Sequence, residues 1–254
     1  MGRKLVLKAA HALGLNIRRN NLETRSDWRL ERFLEHHGVR TVLDVGANRG
    51  QFARELLDAG YRGRIISFEA LPDVHEALTS TARQWGSGWT VAPRCALSNE
   101  SGKAVFHVAD NLASSSLLAP CDALSREGVG FDKAPTIEVP CERLDDVLRV
   151  LVEAEGPLFL KLDVQGAEMK VLEGAKATMA RVVGLQLEMS LSALYEGQPL
   201  AREMDRLMMD QGFELWDMEP AFRDRNLGKL LQIDGVYFRG GPAEPASARE
   251  GSIQ

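Results

Sequence analysis

The sequence predicts an α/β fold: a mostly parallel sheet with helices on both faces and an antiparallel hairpin at one edge. Three observations predict it. From residue 41 onward, short apolar runs alternate with helix-period segments, and such alternation needs crossover connections between parallel strands. The last two strand-like runs have no helix between them, so they pair antiparallel. The chain has 254 residues, 44% of them hydrophobic and 26% charged, enough for one sizeable core or two small ones.

The elements follow in order. Residues 41–45 (TVLDV) form a first strand that runs into a glycine-bearing loop, and 49–59 a helix with Phe52, Leu56 and Leu57 on one face. Residues 64–68 (RIISF) form a second strand, followed after Pro72 by a helix to about Gln84. The third strand is expected at 89–96, the fourth at 157–164, a helix at 167–179 and the fifth strand at 182–189. A helix over 200–211 precedes the closing strands at 213–218 and 232–238. Residues 99–144 break this rhythm, with strand patterns at 102–109 and 136–141 around a long polar, small-residue stretch. A stretch of that length inside a compact domain usually serves function. The tail at 240–254 reads as disordered.

The formal net charge of −5 is unevenly spread: residues 1–40 carry nine Lys/Arg against four Asp/Glu, so they hold +5 and the remainder −10. The opening MGRKLVLKAAHALGL reads as an amphipathic helix with Leu5, Ala9 and Ala12 or Leu13 on one face. Lys8 and His11 interrupt its apolar stretch and Arg18-Arg19 follows instead of a small-residue cleavage site, which argues against a signal peptide. Residues 1–40 are therefore expected to be a helical extension, packed on the domain or meeting a second copy or a membrane surface. The acidic balance speaks against a nucleic-acid partner, and no apolar run approaches the ~20 residues of a membrane span. Three widely spaced cysteines, Cys95, Cys121 and Cys141, give neither a disulfide framework nor a zinc pair. A cytoplasmic location is expected.

The loop Asp44-Val45-Gly46-Ala47-Asn48-Arg49-Gly50 leaves a strand and enters a helix. Glycines there permit a sharp turn and close approach to a ligand, at the strand end where nucleotides bind. It matches neither GxGxxG nor GxxxxGK[ST]. Its acid, Asp44, would repel a pyrophosphate but suits a cationic ligand such as the amino group or sulfonium of S-adenosylmethionine (SAM). Glu69 ends the second strand, placed to accept both ribose hydroxyls. Gly46, Asn48, Gly50 and Ala70 complete this group, and Cys95, Ala96 and Leu97 suit the face of a base.

In order, the chain carries DVGANRG, FEA, ALS, SSSLL, ERLDD, LKLDVQGAE, LEMSLSALYEG and QIDGVYFR. These residues resemble the FkbM family of SAM-dependent methyltransferases over about 41–239. One departure is Ala70, where the family usually has proline. The resemblance implies a single class I methyltransferase domain with strand order 3-2-1-4-5-7-6. It also implies methyl transfer, commonly to a hydroxyl of a sugar, glycolipid or polyketide.

Methyl transfer is an in-line displacement, and a sugar hydroxyl is a poor acid, so a base or a divalent cation helps. Asp163 ends the fourth strand, with Lys161 on the same face. Glu188 lies near the end of the fifth strand. Asp234 begins the last, which brings it to the same sheet edge if that strand is antiparallel. Asp163, Glu188 and Lys161 are the expected catalytic group; Asp163, Glu188 and Asp234 offer three oxygen ligands suited to Mg²⁺ or Mn²⁺. Ser115, with Ser114 and Ser116, is expected near SAM or the acceptor, and Tyr195 near the acceptor. The expected function is O-methylation of a small-molecule or saccharide hydroxyl. An amine or a carboxylate is the alternative acceptor. A nicotinamide-dependent oxidoreductase is the rival class, and the missing GxGxxG counts against it.

Overall fold

A computed structural model describes residues 20–131, 136–151, 154 and 156–240. The expected opening helix and the tail beyond Gly240 lie outside them. The strands are β1 (Thr41–Val45), β2 (Arg64–Phe68), β3 (Trp89–Val91), β4 (Ala96–Leu97), β5 (Gly102–His107), β6 (Thr136–Glu142), β7 (Leu158–Leu162), β8 (Val182–Ser190), β9 (Phe213–Arg223) and β10 (Leu230–Arg239). The helices are α1 (Ser26–His36), α2 (Gln51–Ala59), α3 (Pro72–Trp85), α4 (Asp122–Arg126), α5 (Leu144–Val150), α6 (Glu168–Glu173) and α7 (Ala201–Asp210).

The main sheet runs β3-β2-β1-β7-β8-β10-β9. Counted among themselves, its strands follow the order 3-2-1-4-5-7-6 that the resemblance implies. β10 is antiparallel to both neighbours, and the other pairings are parallel. β1 and β7 are buried along their whole length, as strands covered on both faces must be. Leu43, Leu160 and Leu187 join one apolar cluster. Val42, Phe159, Val236 and Phe238 join the other, beneath Leu30 and Leu34 of α1 and Leu56 of α2. The His37 ring stacks on Phe238 with centroids 4.2 Å apart, and Trp216 meets both rings. This aromatic group fastens the C-terminal end of α1 to the hairpin edge.

Four elements differ from expectation, each for a local reason. The third strand stops at Val91 instead of continuing to 96. Ala92 makes a last bond to Ser67 O (2.9 Å); Pro93 then has no N–H to donate. The chain moves into a second sheet, β4-β6-β5, whose β5 and β6 lie in the inserted region at 99–144. The helix expected over 167–179 ends at Glu173. Gly174 follows, packed so closely that a Cβ there would lie 2.0 Å from Ser98 O. The helix expected from 49 starts at Gln51 because Gly50 takes φ 79°. The closing hairpin is longer than expected, reaching Arg223 and starting back at Leu230. Among the described residues, no helix is long and apolar enough to cross a membrane.

Candidate active site

The C-terminal ends of β1, β2, β7 and β8 and the N-terminal half of β10 meet at one edge of the sheet, as the topology requires. The loop after β1 turns at Gly46, φ 74°, where a Cβ would sit 1.8 Å from the Asp163 carbonyl oxygen. Only glycine permits so close a crossing of two backbones. The loop directs its N–H groups inward. Gly46 and Ala47 donate to Phe68 O at 3.1 and 3.0 Å, and Asn48, at φ 48°, donates to Glu69 Oε2 at 2.9 Å. It is a carboxylate clasp, not a phosphate cradle.

Glu69 is held by three backbone donors. Besides Asn48, Ala70 N and Leu71 N donate to Oε1, each at 2.9 Å. Burial pushes its pKa up, and these three bonds pull against that rise. The side chain lines a cavity of about 270 Å³. Gly46, Asn48, Ala70 and Ala96 lie on the same wall, with Cys95 and Leu97 beside them. Phe106, Ser115 and Leu117 come from the inserted region, and Asp163, Gln165, Glu188 and Gln232 from the far side. The Ser115 hydroxyl accepts from Ala109 N at 2.9 Å, so part of its capacity holds the inserted loop.

Two residues expected at the cofactor do not line this cavity. Asp44 does not line the cavity. It is 0% exposed, because strand alternation turns it with Val42 toward the face under α1 and α2. There it accepts from Ser67 Oγ at 3.0 Å and pairs with Lys161 at 3.3 Å. Gly50 also stands off the wall. Its left-handed φ starts α2, and a Cβ would meet the Trp89 ring at 2.4 Å, so its role is packing.

Lys161 is buried at the centre of an acidic group. Its Nζ lies 3.3 Å from Asp44 and 3.2 Å from Asp163. Burial lowers its pKa, but the carboxylates of Asp163 and Asp44 outweigh this and raise it, so it is a fixed cation rather than a proton carrier. Removing it strands a buried charge. Lys161→Met is expected to lose about 3–5 kcal/mol of stability in denaturant unfolding, and Asp44→Asn in the same background to recover most of it. A single variant as stable as the parent would contradict this ion pair.

Asp163, Glu188 and Asp234 act on one another electrostatically. Asp234 stands directly opposite Glu188 in the β8–β10 register, where like charges repel. Burial raises the Glu188 carboxyl well above its usual range, helped by Asp163 and Asp234. Burial and Asp163 push Asp234 up to about 6. The metal expectation is not matched by this geometry: among the described residues, no three His, Cys, Asp or Glu side chains converge as a ligand set. Amides intervene instead. Gln165, at φ 54°, donates from Nε2 to Asp163 (2.9 Å) and Glu188 (2.5 Å). Its Oε1 faces the Tyr195 hydroxyl at 3.0 Å. Gln232 Nε2 donates to Glu188 at 2.9 Å.

The match to known proteins decides the family. The model of the methyltransferase FkbM domain matches residues 44–215. The chain belongs to the FkbM family of SAM-dependent methyltransferases. It is similar to the 2-O-methyltransferase NoeI of Sinorhizobium fredii, 30% identical over 175 residues that cover 65% of this chain and 70% of that one. It is also similar to the methyltransferase sdnD of Sordaria araneosa, 26% identical over 194 residues, 68% and 73% of the two chains. Among solved structures, an O-methyltransferase from Bacillus cereus in complex with SAH superposes with a TM-score of 0.48 at 11% identity, covering 93% of this chain and 90% of that one.

Within this methyltransferase, sequence reasoning underrated the amides. Gln165 lies beyond the end of β7 with a left-handed φ, so strand alternation does not announce its bridging role. Gln232 precedes Asp234 by one pleat, so the same alternation would have put both on one face.

Proposed function

We propose that this methyltransferase methylates a hydroxyl of a sugar, glycolipid or related natural product, with SAM held in the 270 Å³ cavity. The observation that carries the reading is Glu188. It is a half-buried carboxyl with a raised pKa, at the cavity wall, bridged to Asp163 by Gln165. A hydroxyl nucleophile is helped by a base, and a carboxylate with a raised pKa is a stronger one. The similarity to an enzyme named as a 2-O-methyltransferase supports the same acceptor chemistry.

Bound SAM supplies an electrophilic methyl on a positively charged sulfur. The protein's residues do the rest. Glu69 already receives three N–H bonds of the roughly four its carboxylate can accept, so one free position on Oε2 takes a ribose hydroxyl, narrower than the two expected from sequence. Ala70, Ala96 and Leu97 offer a small, apolar bed for the base. Asp163 and Glu188 offer negative charge close to where the sulfonium lies. Gln165 and Gln232 fix the Glu188 carboxylate so that its remaining lone pairs face the acceptor. The acids do not form a metal ligand set, and no step here runs through a metal.

The sign of the pH dependence follows. Glu188 takes a proton only when ionised, and its pKa is raised, so activity is lost as pH falls through a value above the ordinary carboxylate range. Glu188→Gln is expected to lower kcat by roughly 10²–10⁴-fold and to flatten that acidic limb, with KM little changed. The test is a pH–rate profile on an acceptor found by screening saccharide extracts with methyl-labelled SAM. An unaltered acidic limb in Glu188→Gln would remove Glu188 as the base.

A further inference from the structure

A second cavity, of about 370 Å³, lies on the α1/α2 side of the sheet and shares Gly46, Asn48, Ala113 and Asp163 with the first. We propose that it binds the acceptor, and that the acceptor is a saccharide unit carrying a protonated amine. The inference rests on reading the first cavity as the SAM site.

The position fits a second substrate. Asp163 contributes to both walls, so a ring seated here presents a hydroxyl at the common rim, beside Asp163 and facing Glu188 across the boundary with the first cavity. The lining fits a sugar. Asn48, Gln51 and Gln186 give amides, Phe52 gives an aromatic face, and Lys161, which is only 8% exposed, gives a buried cation. Polyols use such mixtures of donors and acceptors.

The charge selects the amine. The wall carries six carboxylates (Asp27, Glu55, Asp163, Asp217, Glu219 and Asp234) and one ammonium, that of Lys161. Arg25 pairs with Asp27, and Arg29 with both Asp217 and Glu219. Lys161 pairs with Asp163. Among the described residues Glu55 and Asp234 have no ion-pair partner within 4 Å; Asp234 takes a side-chain hydrogen bond from Gln186 and feels the Lys161 charge, and Glu55 feels that of Arg25. Glu55 stands exposed at the mouth on α2, and Asp234 half-buried on the floor. A phosphorylated or carboxylated sugar would be repelled. A neutral hydroxyl would gain ordinary hydrogen bonds; an ammonium reaching Asp234 gains charge-assisted ones, about twice as strong.

The test uses the SAH-loaded protein at fixed pH. Glucosamine, N-acetylglucosamine and glucose are titrated as probes by ligand-observed NMR. Glucosamine should bind at least about tenfold more tightly than either neutral sugar. Asp234→Asn should erase that preference, and Glu55→Gln, on an exposed helix face, should reduce it. SAH affinity measured in parallel reports whether each variant is folded. Equal affinities for the three sugars, no binding of any of them, or a preference that survives both substitutions would overturn the proposal. If SAH binds normally while these results fail, only the second cavity is misread. If SAH does not bind the parent protein, the cofactor reading fails and the acceptor proposal fails with it.

Discussion

Glu69→Ala should weaken SAH binding at least about a hundredfold, the largest effect expected of any single side chain in the cofactor cavity. Two losses combine. The free position on Oε2 disappears, and with it a charge-assisted bond to a ribose hydroxyl. The N–H groups of Asn48, Ala70 and Leu71 also lose their common acceptor, and each buried, unpaired donor costs about 1–3 kcal/mol. The loop after β1 then keeps only the bonds of Gly46 N and Ala47 N to Phe68 O. Glu69→Gln separates these effects. Its single carbonyl oxygen cannot serve donors on both sides, so affinity should fall less than in the alanine variant but remain well below the parent. Calorimetric titration with SAH measures both. Parent-like affinity in Glu69→Ala would remove Glu69 from the cofactor site.

Gly46→Ala should be the most destructive change in the glycine loop. The new Cβ would stand 1.8 Å from the Asp163 carbonyl oxygen, and neither backbone can retreat, because Asp163 N donates to Val45 O and Gly46 N to Phe68 O. The left-handed φ adds strain of its own. A stability loss of about 3 kcal/mol or more follows, the size typical of severe core overpacking. For a chain of this size that lowers Tm by at least about 6 °C. Gly197→Ala is the control. Gly197 also has a left-handed φ of 70°, but nothing lies within 4 Å of its Cβ position, so only the conformational cost remains. If the two variants melted together, the close crossing of β1 and β7 would not be the reason for the glycine.

The fold was legible because its cues are local and repeat. Each apolar run that ends in a loop and a helix marks a parallel strand, and the missing helix before Leu230 marks the antiparallel return. That return places Asp234 beside Glu188, so the meeting of acids from distant segments was readable. Asp44 lies off the cavity wall, and the cue was present: alternation along TVLDV puts it with Val42, beneath helices. The end of β3 was missed because Pro93 follows a strand pattern that continues through Ala96 into a different sheet. The amides were hard to read for a physical reason. Gln165 and Gln232 are defined by what they bridge, and bridging depends on rotamers and on a left-handed backbone at Gln165 that no spacing announces.

The proposed reaction is methyl transfer from SAM to a saccharide hydroxyl. The most direct measurement is the chemical form of the transferred methyl. The protein is incubated with methyl-labelled SAM and saccharide extracts, and the labelled product is treated with mild alkali before analysis by mass spectrometry. Label is expected in a sugar as an alkali-stable O-methyl ether, formed roughly 10²–10⁴-fold more slowly by Glu188→Gln. Label released as methanol, label on an amine, or no transfer to any saccharide would contradict it.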